Sequence, residues 1–86
     1  MSDSNQYNSF AVSLSTILRI RNNMSGADLA RKIGQNPATV NGWLRGEGRP
    51  GVPELIDAMA RVLRLSEEER VGLLYDADYG WYVEAG

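Results

Sequence analysis

The chain has no cysteine and no histidine among its 86 residues. Without cysteine there is neither a disulfide framework nor a thiolate metal site. Without histidine the commonest general base and the commonest zinc ligand are both missing, which excludes nucleophile–His–acid triads and zinc hydrolysis. No apolar run approaches membrane-spanning length, and the opening MSDSNQYNS lacks the basic-then-apolar order of a signal peptide. A soluble, cytoplasmic protein is the expectation. No strand alternation or internal repeat is visible, which leaves an all-α chain. At 86 residues it makes one domain with a modest core, which self-association would help to stabilise.

Net charge is small but uneven in placement. The net charge is −2, yet residues 1–50 carry six cations against three acids, and residues 51–86 carry three against eight. The positive half has the polarity that a phosphate-facing surface needs, although an excess this small also fits an ordinary solvated face.

Hydrophobic periodicity and capping residues predict five helices in a compact domain. Helix 1 is expected over about residues 12 to 22, with Leu14, Ile17 and Leu18 on one stripe and Ser13 or Ser15 as its cap. Helices 2 and 3 fall at about 26 to 33 and 37 to 45. Glu47-Gly48-Arg49-Pro50-Gly51 is too rich in glycine and proline for a helix. Helix 4, at about 52 to 64, carries Leu55, Ile56, Met59 and Leu63. Ser66 with Glu69 forms a capping box for helix 5, at about 67 to 76, with Val71, Leu74 and Tyr75 inward. This divides the chain into a polar arm (1–11), a helical domain (12–75) and an aromatic tail (76–86).

Ser25 to Gly46 is the best-marked segment. Ser25 with Asp28 is a capping-box pair at the positive end of a helix dipole. Gly34 ends that helix in a conformation that costs a residue without Cβ little. Asn36 then caps a helix with Pro37 at its first position, and Gly46 closes it. Two short helices joined by a tight turn are the unit that lays a helix into the DNA major groove.

Ala27, Leu29, Ala30, Ile33 and Gly34, then Thr39-Val40, Trp43 to Gly46 and Arg49-Pro50, resemble the phage-repressor and Cro-type (XRE-like) helix-turn-helix family. The resemblance extends over roughly residues 12 to 75 and implies a sequence-specific double-stranded DNA-binding regulator. In that family the outward face of helix 3 and the first residue of helix 2 are typically Gln, Ser, Asn, Arg or Lys. Here those positions are Gly26, Pro37, Ala38, Asn41 and Gly42. The family also often has an acidic residue at the position of Leu44, paired with a basic one at that of Arg19. Leucine there frees Arg19 to reach for a phosphate or for Glu47.

On a helical wheel Val40, Trp43 and Leu44 form the inward stripe of helix 3, making Trp43 a core residue. Pro37, Ala38, Asn41, Gly42 and Arg45 are the candidate base contacts. Asn41 suits adenine, Arg45 suits guanine or a phosphate, and Pro37 and Ala38 suit thymine methyls. Thr39, Arg31, Lys32, Arg49, Arg19 and the bare N–H of Gly26 are candidate phosphate contacts, which position without specifying sequence. For Arg31 and Lys32 an ordinary solvated surface is nearly as good a reading.

Tyr75, Tyr79, Trp81 and Tyr82 crowd the end of the chain. Either they fold back on the domain's own core, or they anchor a homodimer. Asp76-Ala77-Asp78-Tyr79-Gly80 echoes a calcium loop but lacks its ligand spacing, so no metal or other cofactor is expected. Glu67-Glu68-Glu69 reads as the acidic first turn of helix 5, and no catalytic constellation is visible. The leading expectation is a homodimeric repressor on a palindromic operator, occluding a promoter because the chain leaves no room for a ligand-sensing domain. The alternative is the same scaffold used for protein binding, as an antirepressor, antitoxin-like or regulator-modulating partner.

Overall fold

The computed structural model describes residues 7–85. Among these there are six α-helices and no strand: α1 (Asn8–Thr16), α2 (Gly26–Ile33), α3 (Pro37–Leu44), α4 (Glu54–Leu63), α5 (Glu67–Asp76) and α6 (Gly80–Ala85). The chain is therefore all-α, with six helices where five were expected. No described helix is long and apolar enough to cross a membrane.

Helix 1 begins at Asn8, well before the expected start, and the remainder of the expected polar arm, residues 1–6, lies outside the described residues. The early start has no side-chain cap to announce it, because Tyr7 precedes the helix without such a bond. Its reason is burial: Phe10, Ala11 and Leu14 join the core, which extends the domain toward the N-terminus. After Thr16 the helix widens into a π-helical stretch, Ile17–Asn22, closed by left-handed Asn23 at φ 48°. Asn tolerates that conformation through its short polar side chain. The wide turn buries Ile17 and Leu18 while leaving Ile20 exposed.

The core gathers Phe10, Leu14, Leu18, Leu29, Val40, Trp43, Ile56, Met59, Leu63, Leu73 and Leu74, among others. On α4, Leu55 is only half-buried and Ala60 takes its place inside. On α5 the inward residues are Leu73 and Leu74 rather than Val71 and Tyr75; Tyr75 lies outward against Gly80 and donates to Glu84 at 3.1 Å.

The tail folds back on its own domain. Tyr79 is 4% exposed and donates to the Pro50 carbonyl at 2.6 Å. Arg49 lies 4.3 Å from the centre of the Tyr79 ring and 5.5 Å from that of Tyr7. Its guanidinium also donates to the Ala77 carbonyl at 2.7 Å, just past α5. A guanidinium between two aromatic faces satisfies both charge and packing, and here it joins both described ends to the loop after α3. The Tyr82 hydroxyl donates to Asp57 at 2.6 Å, and Asp57 also receives Arg70 at 2.7 Å.

Burial works against ionising Asp57, but the Tyr82 hydroxyl and the Arg70 guanidinium outweigh it and hold its carboxyl below the usual range. A lowered folded-state pKa gives stability that is complete above the unfolded value, about 3.9, and is lost as pH falls through the folded one. Asp57→Asn is therefore expected to flatten the acid limb of the stability curve below about pH 4, measured by urea unfolding across pH.

Helix α4 ends on Arg64 at φ 57°, where Leu65 N–H reaches the Ala60 carbonyl at 2.9 Å. A side chain in this left-handed position costs roughly 1–2 kcal/mol, and glycine escapes that cost at the expense of a more flexible unfolded chain. Arg64→Gly should raise unfolding stability by up to about 1 kcal/mol in chemical denaturation.

Candidate nucleic-acid interface

Local sequence places both helices of the motif. Ser25 Oγ accepts from Asp28 N–H at 3.1 Å, and Asp28 accepts from Ser25 N–H in return, which completes the capping box. Gly34 takes φ 74°, and Gln35 N–H closes the helix on the Ala30 carbonyl at 2.8 Å. Asn36 Oδ1 then accepts from Ala38 N–H at 2.8 Å, with Pro37 at the first position of α3. At the far end Gly46, at φ 82°, donates to the Trp43 carbonyl at 3.1 Å, and Glu47 N–H donates to that of Gly42 at 3.0 Å. That pair of bonds is the Schellman closure of a helix.

Helix α3 divides its residues between core and surface as the wheel predicts. Val40 is fully buried and Trp43 is 3% exposed, its ring edge-on to Phe10 with centroids 6.5 Å apart. Leu44 is half-buried, whereas Pro37, Ala38, Thr39, Asn41 and Arg45 are exposed and Gly42 is partly so.

Two of the residues expected to contact phosphate have internal roles. Gly26 is buried at the crossing of α2 and α3: a Cβ there would lie 2.7 Å from Asn41 Oδ1 and 2.9 Å from Leu44 Cδ1. Its missing side chain serves helix approach. Arg49 is committed to Tyr79, Tyr7 and the Ala77 carbonyl, so it braces the tail. Of the aromatics expected at a dimer contact, Tyr79 is core, and Tyr82 is half-buried and bonded to Asp57. Tyr75 and Trp81 remain exposed.

The other cations differ in availability. Arg31 pairs with Asp28 across one turn of α2. Lys32 and Arg19 are exposed and form no ion pair among the described residues. Arg19 lines a hollow of about 210 Å³ with Leu44, Met24, Ser25 and Gly26, which places it beside the N-terminus of α2. Arg45 is bound in a two-point pair to Glu47, with Nε and Nη2 each 3.1 Å from a carboxylate oxygen. The hydrogen bond from Arg45, and then its charge, lower the Glu47 pKa, and Arg45 is raised in turn.

Glu47 thus belongs to Arg45 and not to Arg19, and its place on this face went unread in the sequence. The signal was present in Gly46, since a Schellman turn brings the residue right after its left-handed glycine back over the last helical turn.

A helix-turn-helix family model matches residues 17–70. The chain belongs to that family, the phage-repressor and Cro-type (XRE-like) helix-turn-helix proteins, which are DNA-binding regulators. No curated protein and no solved structure matches the chain.

Gly26→Ala separates the stability of the motif from the shape of its surface. The added methyl crowds two side-chain ends, Asn41 Oδ1 and Leu44 Cδ1, and lies in ordinary contact with Val40 Cγ1 at 3.6 Å. Alanine also gains up to about 1 kcal/mol of helix propensity. Unfolding stability should therefore stay within about 1 kcal/mol of the parent while the Asn41 side-chain amide resonances move. Global unfolding, or an unmoved Asn41, would contradict this packing.

Proposed function

We propose that the chain is a sequence-specific double-stranded DNA-binding regulator that works as a homodimeric repressor, with α3 lying in the major groove. The observation that carries this reading is the division of α3. Val40 and Trp43 anchor it to the core, while Asn41 and Arg45 stand outward beside a small, close-approaching surface of Pro37, Ala38 and Gly42. Asn41 and Arg45 are the two side chains able to form two-point contacts with base edges, adenine for the first and guanine for the second. Thr39, Lys32 and Arg19 flank them as exposed phosphate partners, with Arg31 joining when its pair with Asp28 opens.

Two readers per copy specify few base pairs. A two-fold pair of copies doubles that number, reading half-sites about 34 Å apart on one face of a palindromic operator. Tyr75 and Trp81 keep the exposure that a contact between copies needs, Trp81 being 60% exposed. The same two aromatics favour the second reading, in which this acidic half docks another protein and DNA binding is weak.

Selection of bound duplexes from a random pool tests the first reading. It should enrich a palindrome, and Asn41→Ala with Arg45→Ala should weaken binding to that duplex by about tenfold or more per contact. Undiminished binding by the double variant would remove α3 as the reader. Absence of any duplex binding at low salt would favour the protein-docking reading.

A further inference from the structure

The outward end of α3 carries a feature that DNA binding alone does not call for. Arg45, one of its two base readers, already holds a carboxylate in fork-to-fork geometry, 3.1 Å from each oxygen of Glu47. Both side chains are more than half exposed, at 59% and 53%, and the turn is what brings them together. Gly46 at φ 82° and the Glu47 N–H bond to the Gly42 carbonyl at 3.0 Å fix the Glu47 backbone. They return its carboxylate along α3, so that a Cβ on Gly42 would lie 4.0 Å from Glu47 Oε1. The acid therefore sits beside the one position of the reading face that has no side chain.

We propose that Glu47 is a specificity-determining residue for DNA binding: it occupies the Arg45 guanidinium in the free protein and yields it to a guanine edge but not to the phosphate backbone. This rests on the DNA-binding reading above. A solvent-facing phosphate offers Arg45 little beyond what Glu47 already supplies, a fork of anionic oxygens in water. The N7 and O6 atoms of guanine are held at the spacing of the guanidinium fork, whereas a backbone phosphate can be met by any cation nearby. When no guanine is in register, the pair stays closed, and the Arg45 charge is neutralised by Glu47 instead of being offered to the duplex. Glu47 thus lowers binding to wrong sequences more than to right ones, which is how repulsion contributes to specificity.

Glu47→Gln keeps the side chain's size and the backbone bond of the turn, and a thermal melt checks that the fold is retained. Binding of a mixed-sequence duplex and of the selection-enriched duplex is measured by fluorescence anisotropy across a salt series, for the parent, Glu47→Gln, Arg45→Gln and the double variant. Glu47→Gln should tighten binding to mixed-sequence DNA by roughly fivefold at low salt and steepen the salt dependence by about one ion. The ratio of affinities for the enriched over the mixed duplex should fall. In the Arg45→Gln background the same change should have little effect.

Unchanged or weaker binding by Glu47→Gln would overturn the proposal while leaving the DNA-binding reading intact. An unchanged affinity ratio, or equal tightening without Arg45, would also overturn it, because the acid would then act only as bulk negative charge. If neither the parent nor Glu47→Gln binds any duplex, the DNA-binding reading falls and the proposal with it.

Discussion

An eight-residue helix does not hold itself together in water, because nucleation costs more than two turns of hydrogen bonds return. Helix α3 (Pro37–Leu44) therefore depends on the burial of Val40 and Trp43. That burial fixes its rotation about its own axis, and the rotation decides which residues face outward. The rest of the molecule supports the arrangement: Phe10 from α1 meets the Trp43 edge, and Gly26 lets α2 approach closely enough for Asn41 and Leu44 to lie over it. The Schellman turn at Gly46 then sends the chain into the loop that Arg49 and Tyr79 hold down.

Where structure is decided by neighbours in sequence, it was legible. Both capping boxes, the Asn36-Pro37 start, the Gly34 and Gly46 stops and the inward Trp43 depend on residues within a turn of one another. Where structure is decided by distant partners, it was not. The early start of α1 has no cap and depends on Phe10 finding the core, and the π-helical turn leaves no periodic trace. The sequence offered two fates for the aromatic tail. The fold back was decided by Arg49 and Pro50, roughly thirty residues away from Tyr79, and by Asp57 for Tyr82.

The candidate site divides the same way. Exposure of Pro37, Ala38, Asn41 and Arg45, and the partial exposure of Gly42, followed from the helical wheel. The roles of individual cations did not, because an arginine's partner depends on which acid or ring the fold brings near it. Arg49 turned inward to the tail, Arg31 found Asp28, and Arg45 found Glu47. The positive charge available around α3 is consequently smaller than the sequence count suggests, with Arg19 and Lys32 its exposed, unpaired members among the described residues. Binding under the proposed reading draws on few phosphate contacts and leans on how closely the small residues Ala38 and Gly42 allow α3 to approach a groove.

The most direct test of that account is to titrate the isotope-labelled protein with duplex DNA and follow its backbone amide resonances. The account predicts that the largest shifts fall on the outward residues of α3, Ala38 to Arg45, together with Lys32 and the start of α2, and that they fade as salt is raised. Shifts confined to α5 and α6 around Tyr75 and Trp81, with α3 unmoved, would contradict it.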